Sequence, residues 1–199
     1  MNTSRKKKKT TQIYRTLPDT DRLAIEISLD NYEDIFNEWD PAPFKRRDID
    51  PDLRTFFEEC SDEISLSHPI AIVFFLPKGE IDHDKQQKCI EGLRNFFQFN
   101  LYLAEKVRAK SHKSALNYLA IGMTFLSVAV LFENEFDKAV LSGILGQGLF
   151  IGGWVFVWEV FTRLAFKNTD LLHDIREWER FIDAPILFKK ERRQAQELE

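Results

Sequence analysis

Residues 115–132 read ALNYLAIGMTFLSVAVLF and residues 139–157 read AVLSGILGQGLFIGGWVFV, two stretches without a charged side chain. At about 1.5 Å of helical rise per residue, each comes close to the roughly 30 Å of a bilayer's hydrocarbon. Trp158 to Thr162 prolong the second stretch, so the expected spans are about 115–132 and 139–161. One apolar stretch of this length is also what a buried core helix looks like. Two in tandem, separated only by Glu133 to Lys138, point instead to a transmembrane helical hairpin over 114–163.

The flanks set an orientation. Lys106, Arg108, Lys110 and Lys113 precede the first span and Arg163 and Lys167 follow the second, whereas the connecting ENEFDK holds one lysine against three acids. The positive-inside rule then places both termini in the cytoplasm, as in a multi-pass protein of a cell inner membrane. Trp154, Trp158 and Tyr118 fall toward the cytoplasmic ends, where amphipathic rings favour the headgroup level as anchors.

The second span is rich in small residues. Gly143, Gly146, Gly148, Gly152 and Gly153 include the spacing Gly148-x-x-x-Gly152, which lets another helix approach closely. That helix is either the first span, through Gly122 and Ser127, or a second subunit. Gln147 is the strongly polar side chain deep in the hairpin, and an amide in lipid needs a partner. Packing against another helix is the plainer role. A polar path shared with Ser142, Thr124 and Ser127 is the alternative. Glu159 precedes Arg163 by one turn, the favourable order for an ion pair, which is preferred to a proton relay.

Outward from the hairpin, residues 21–113 and 167–190 read as a cytoplasmic α/β part. Leu23, Ile25, Ile27 and Leu29 alternate with Ala24, Glu26 and Ser28, the period of a strand with one buried face. Asp50 as N-cap, Pro51 at the first helical position and Asp52 in the first turn start a helix whose apolar stripe is Leu53, Phe56, Phe57, Cys60 and Ile64. After His68-Pro69, the run IAIVFFLP is what a central strand covered on both faces looks like, and strand-helix-strand order predicts a parallel pair. Lys78 and Gly79 turn out of it. A long helix from near His83, carrying Ile90, Leu93, Phe97, Leu101 and Ala104, is expected to run into the first span with a bend at Ser111 to Ser114. Beyond the second span, Leu171, Leu172, Ile175, Trp178 and Ile182 mark another amphipathic helix, with Asp174, Arg176, Glu177 and Arg180 on its polar face. Pro185 ends it and ILF forms a third, edge strand. The fold class is thus a two-helix membrane hairpin inserted in a small sheet-and-helix domain of about three strands. Residues 1–20 form a disordered basic arm and residues 191–199 a charged tail.

Three segments, RDIDPDLRTFFEECSDEI, PIAIVFFLP and GLFIGGWVFVWEVF, resemble a family of small, uncharacterised bacterial two-span inner-membrane proteins over Asp48 to Pro185. The resemblance implies a bacterial inner membrane and no particular activity. Such relatives commonly carry a proline after the second tryptophan of the last motif. This chain has Glu159 there, which removes a proline kink from the expectation.

Composition narrows the function classes. A net charge of -4, with lysines and arginines interleaved among 32 acids, gives no basic face for nucleic acid. The run Arg5 to Lys9 is better placed near anionic headgroups. Cys60 and Cys89 lack metal spacing and read as reduced thiols, and His68, His83, His112 and His173 are scattered, so no metal or cofactor is expected. No phosphate-cradling glycine loop or nucleophile motif occurs, and no catalytic residue is assigned. Trp39, Arg46, Arg47, Asp48 and Asp50 form the densest polar loop, read as a helix cap and salt-bridged turn or as a partner surface. The leading expectation is a non-enzymatic membrane protein that oligomerises or binds a membrane protein partner as a scaffold. A small oligomeric channel or membrane-perturbing effector comes second. An enzyme at the headgroup surface using Asp48, Asp50, His68 or Glu159 comes third.

Overall fold

A computed structural model describes residues 13–18, 20–43, 47–77, 82–135 and 140–190. The basic run, Arg46, the Lys78-Gly79 turn, the tip of the inter-helix loop and the charged tail lie outside these residues. The chain divides into two compact units. One comprises the residues up to Leu101 together with those from Arg176 on, and the other is Tyr102–Ile175.

In the first unit, three parallel strands form a sheet in the order β1-β2-β3: β1 Leu23–Ser28, β2 Ile70–Leu76 and β3 Ile186–Lys190. Leu23 pairs with Ile70 and Ile72 with Ile186. The central strand is almost wholly buried, Phe75 alone being partly open, as its unbroken apolar run requires when both faces are covered. β1 keeps the alternation read from its sequence only from Ile25 on, with Glu26 and Ser28 exposed, whereas Ala24, expected on the open face, is buried. A 3-10 turn at Tyr32–Ile35, which no periodicity announces, buries Tyr32 and Ile35.

Helix α1, Pro51–Glu63, begins as expected. The Asp50 carboxylate accepts the backbone N–H groups of Asp52 and Leu53 at 2.9 and 3.2 Å. Its buried stripe is Leu53, Phe57, Cys60, Ser61 and Ile64. Phe56, expected in that stripe, is 40% exposed because it sits one position off the i, i+4, i+7 ridge.

Helix α2, His83–Glu135, is 53 residues long and passes through Ser111 to Ser114 without leaving the helical state. Cys89, Leu93, Phe96 and Phe97 anchor its first part in the core of the sheet unit. Helix α3, Val140–Thr162, runs through a π-helical turn at Arg163–Lys167 into helix α4, Asn168–Ile182. What reads as two separate helices is therefore continuous. The Asn168 N–H reaches the Arg163 carbonyl five residues back. A π-turn inserts one residue into the helical repeat and rotates everything beyond it. Here it marks the change from the all-round apolar α3 to the amphipathic α4.

The sheet unit's core holds a cluster of aromatic rings. Phe97 stacks on Phe181 at 5.3 Å and meets Phe57 edge-on at 6.0 Å, and Trp178 closes on Phe96, Phe97 and Phe181. Phe74 stacks on Phe188 at 5.2 Å on the sheet. Each fully buried ring of this kind contributes about 2–3 kcal/mol by burial, with aromatic geometry adding about 1 kcal/mol per good pair.

Arg180 departs from its expected polar face. It is 8% exposed, and its two Nη atoms donate to the carbonyls of Ile64, Ser65 and Ser61, with a further contact to Ser61 Oγ. The Ser61 and Ile64 carbonyls stand at the carboxyl end of α1, the negative end of its dipole, and the Ser65 carbonyl just beyond it also accepts the His68 N–H at 2.9 Å. Burial pulls the guanidinium's pKa below its usual range and the Glu177 carboxylate pushes it back up.

Candidate functional site

Two places in the molecule carry the polar and small residues singled out above: the apolar helix pair of the second unit, and the Trp39–Asp50 loop of the first. In the helix pair, small residues decide where backbones meet. Ala115, Gly122 and Ala129, seven apart on α2, are buried. A seven-residue repeat of small side chains keeps one seam of a helix against its neighbour. A Cβ on Gly122 would stand 3.1 Å from the Gly153 carbonyl oxygen and 3.2 Å from Phe156 Cβ. A Cβ on Gly153 would stand 2.7 Å from Leu126 Cγ and 3.1 Å from the Gly122 carbonyl oxygen, and one on Gly152 3.3 Å from Phe125. Gly122, Gly152 and Gly153 thus form the close crossing of α2 and α3.

Gly143 and Gly148 differ, since a Cβ there meets nothing within 4 Å. The Gly148-x-x-x-Gly152 pair is therefore split, Gly152 facing α2 and Gly148 facing open space. Gly146 is partly buried. Ser127, named beside Gly122 as a packing residue, is exposed. Heptad spacing of Ala115, Gly122 and Ala129 is the signal that would have identified the true seam.

At one end of the crossing lies a polar knot. Arg163 Nε donates to Glu159 Oε1 at 2.8 Å, and the same guanidinium sits over the Tyr118 ring at 4.8 Å. Tyr118 in turn stacks on Phe156 at 6.0 Å, and Arg108 Nε donates to Asn168 Oδ1 at 3.3 Å. One arginine thus links a carboxylate on its own helix to an aromatic face on the other, a geometry that lysine cannot reproduce. Tyr118 here packs between helices, whereas Trp154 and Trp158 are 53% and 67% exposed.

Gln147 lies on the outer surface of α3 and has no hydrogen-bond partner among the described residues. Helical geometry puts it on one stripe with Gly143, Phe150, Trp154 and Trp158. Thr124 gives its hydroxyl to the Ala120 carbonyl at 2.9 Å, on its own helix. The side chain of Ser142 lies outside the described residues.

In the loop of the first unit, Phe36 and Ile49 form an antiparallel bridge, closed by Asn37 N–H to the Asp48 carbonyl at 2.9 Å and Asp50 N–H to the Ile35 carbonyl at 3.0 Å. Asp40 organises the interior of the loop. Its carboxylate accepts the N–H groups of Asp48 at 2.8 Å and Ala42 at 2.9 Å, which hold its pKa below the usual range. Arg47 Nε donates to the Ala42 carbonyl at 3.2 Å. Asp48 Oδ1 accepts the Ile49 N–H, and Asp50 is occupied as the cap of α1. Trp39 stands at the tip of this braced loop, 91% exposed. Sequence reading singled out Trp39, Arg47, Asp48 and Asp50 and held Asp40 only as a neighbour in Trp39-Asp40-Pro41, although its bonds shape the loop.

Cys60 and Cys89 are free and buried. Burial raises both thiols, Cys89 to about 12, which keeps them protonated at neutral pH. Comparison with known proteins finds no matching family model, no matching curated protein and no matching solved structure.

Proposed function

We propose that the chain is an integral membrane protein whose α2–α3 hairpin crosses the bilayer and self-associates there as a non-enzymatic scaffold. The observation that carries this reading is exposure. The apolar windows of the two long helices are only 17% and 6% buried within the chain. A core helix of a water-soluble protein hides such a face, and contiguous apolar surface of this extent needs lipid or another chain to cover it. The flanking lysines and arginines support cytoplasmic termini.

Self-association is supported by Gln147. An amide carries both donors and an acceptor, so two copies can satisfy one another across a twofold axis in hydrocarbon. Gly143 and Gly148 leave space beside it for a second backbone. A channel reading is supported less, because Thr124 already bonds its own helix.

Alkaline carbonate extraction of membranes from expressing cells tests insertion, with the protein expected in the pellet; release to the supernatant rejects it. Mass measurement in lipid nanodiscs tests association. A dimer or larger assembly that falls to monomer on Gln147→Leu is expected, and a wild-type monomer refutes the scaffold.

A further inference from the structure

The amino ends of the three strands open on one cleft of about 590 Å³ in the sheet unit. Its walls include Arg22, just before β1, and His68, just before β2. Arg176, Glu179, Arg180 and Asp183 line it from α4 and the turn that follows. Open α/β sheets hold ligands at the carboxyl ends of their strands as a rule, and this cleft lies at the opposite, amino end.

Its charges are unevenly matched. Arg22 Nη1 donates to the carbonyls of Ile70 and Asp183 at 3.1 and 3.3 Å, which leaves its Nε and Nη2 donors without a partner among the described residues. Arg180 is buried, holds only carbonyl and hydroxyl oxygens, and keeps an Nε–H with no partner. Arg176 is exposed and makes no ion pair or hydrogen bond among the described residues. Against these three guanidiniums stand Glu179 and Asp183, both exposed and neither in an ion pair among the described residues. The negative end of α1 offsets part of the Arg180 charge. Arg22 holds the Ile70 and Asp183 carbonyls through Nη1, and Arg176 meets no helix end or ion-pair partner among the described residues. His68, half-buried, adds a ring whose Nδ1 lies 3.4 Å from Ser67 Oγ.

We infer that this cleft binds a phosphate-bearing anion. A carboxylate is satisfied by one guanidinium fork, whereas a phosphate presents more oxygens and more charge and suits two forks set around one cavity. The volume is in the range of pockets that hold a small organic ligand, so the anion carries a body as well as a phosphate. A soluble phosphomonoester and a phospholipid headgroup share that chemistry. Arg176 is the specificity-bearing residue, because its guanidinium braces nothing in the fold, while Arg22 fastens the starts of β2 and β3.

The test uses the full-length chain in a neutral detergent, which covers the apolar helices whether or not they span a membrane in the cell. Glycerol 3-phosphate is titrated calorimetrically into the wild type and into Arg176→Ala, and separately phosphatidate is doped into the micelles. Saturable binding of either probe is expected, weakened roughly tenfold or more in the variant, with the thermal midpoint unchanged. Binding of glycerol 3-phosphate that survives phosphatidate identifies a soluble ligand, and binding confined to phosphatidate identifies a headgroup. Failure of both probes to bind, or equal binding by the two proteins, overturns the inference.

Discussion

Arg180 and Ile64, far apart in the chain, are joined by a hydrogen bond of 2.9 Å from Nη1 to the Ile64 carbonyl, so that a side chain of α4 serves as the C-terminal cap of α1. No acid balances this guanidinium in an ion pair among the described residues. Removing it leaves the Ser61 and Ile64 carbonyls short of a donor, which costs about 1–3 kcal/mol for the orphaned groups, while Ser65 keeps the His68 N–H. Arg180→Ala is therefore expected to lower stability by about 3 kcal/mol, with Arg180→Lys recovering only part because one ammonium cannot span three carbonyls. Thermal unfolding followed by circular dichroism reads this directly, and a loss under about 0.5 kcal/mol, typical of a surface substitution, is inconsistent with the cap.

The glycines of α3 divide into two classes by what surrounds them. Gly153→Ala drives a methyl group into Leu126 Cγ and the Gly122 carbonyl, and overpacking of this kind costs about 1–3 kcal/mol. Gly148→Ala adds a methyl group in open space and leaves the hairpin intact. Thermal midpoints of monomeric protein in excess detergent should separate the two, and equal effects contradict the crossing geometry.

Burial silences the thiols. With Cys89 raised to about 12 and Cys60 raised as well, native protein at pH 8 should resist an aromatic disulfide reagent for hours and release two equivalents on denaturation. Rapid labelling of the folded protein would show that one of these sites opens.

Asp40 has its folded pKa below the unfolded value of about 3.9. Its two amide hydrogen bonds are therefore fully present above that pH and are lost as pH falls through the depressed folded value. The amide resonances of Ala42 and Asp48 should titrate together with a midpoint below 3.9. A midpoint at or above that value means the carboxylate is not held by these amides.

Much of this architecture is legible from local pattern. The alternation of Leu23 to Leu29, the proline-bounded run after His68 and the Asp50-Pro51 helix start each carry their structure in their own spacing. So does the Glu159–Arg163 pair, since i,i+4 neighbours meet in any helix. Arg180 is not legible, because with Asp174, Arg176 and Glu177 it reads as part of a polar face until the carbonyls of α1 are seen beside it. Phe181 goes unnoticed for the same reason, being defined by Phe57 and Phe97 from other elements. Glycine spacing marks a helix that can be approached closely, but it does not say which face is approached, and so it cannot tell Gly148 from Gly152.

The order of elements has a consequence for biosynthesis. The ribosome delivers β1, α1, β2 and the start of α2 first, with Phe57 and Phe97 made before Phe181 and Trp178, the rings that complete their cluster. Phe181, Arg180 and Ile186 arrive only after both apolar helices have been made. Until then the end of α1 stays uncapped, β2 has one open edge, and the aromatic cluster is unsealed. Closure of the sheet and of the aromatic cluster thus depends on residues that follow both apolar helices in the chain.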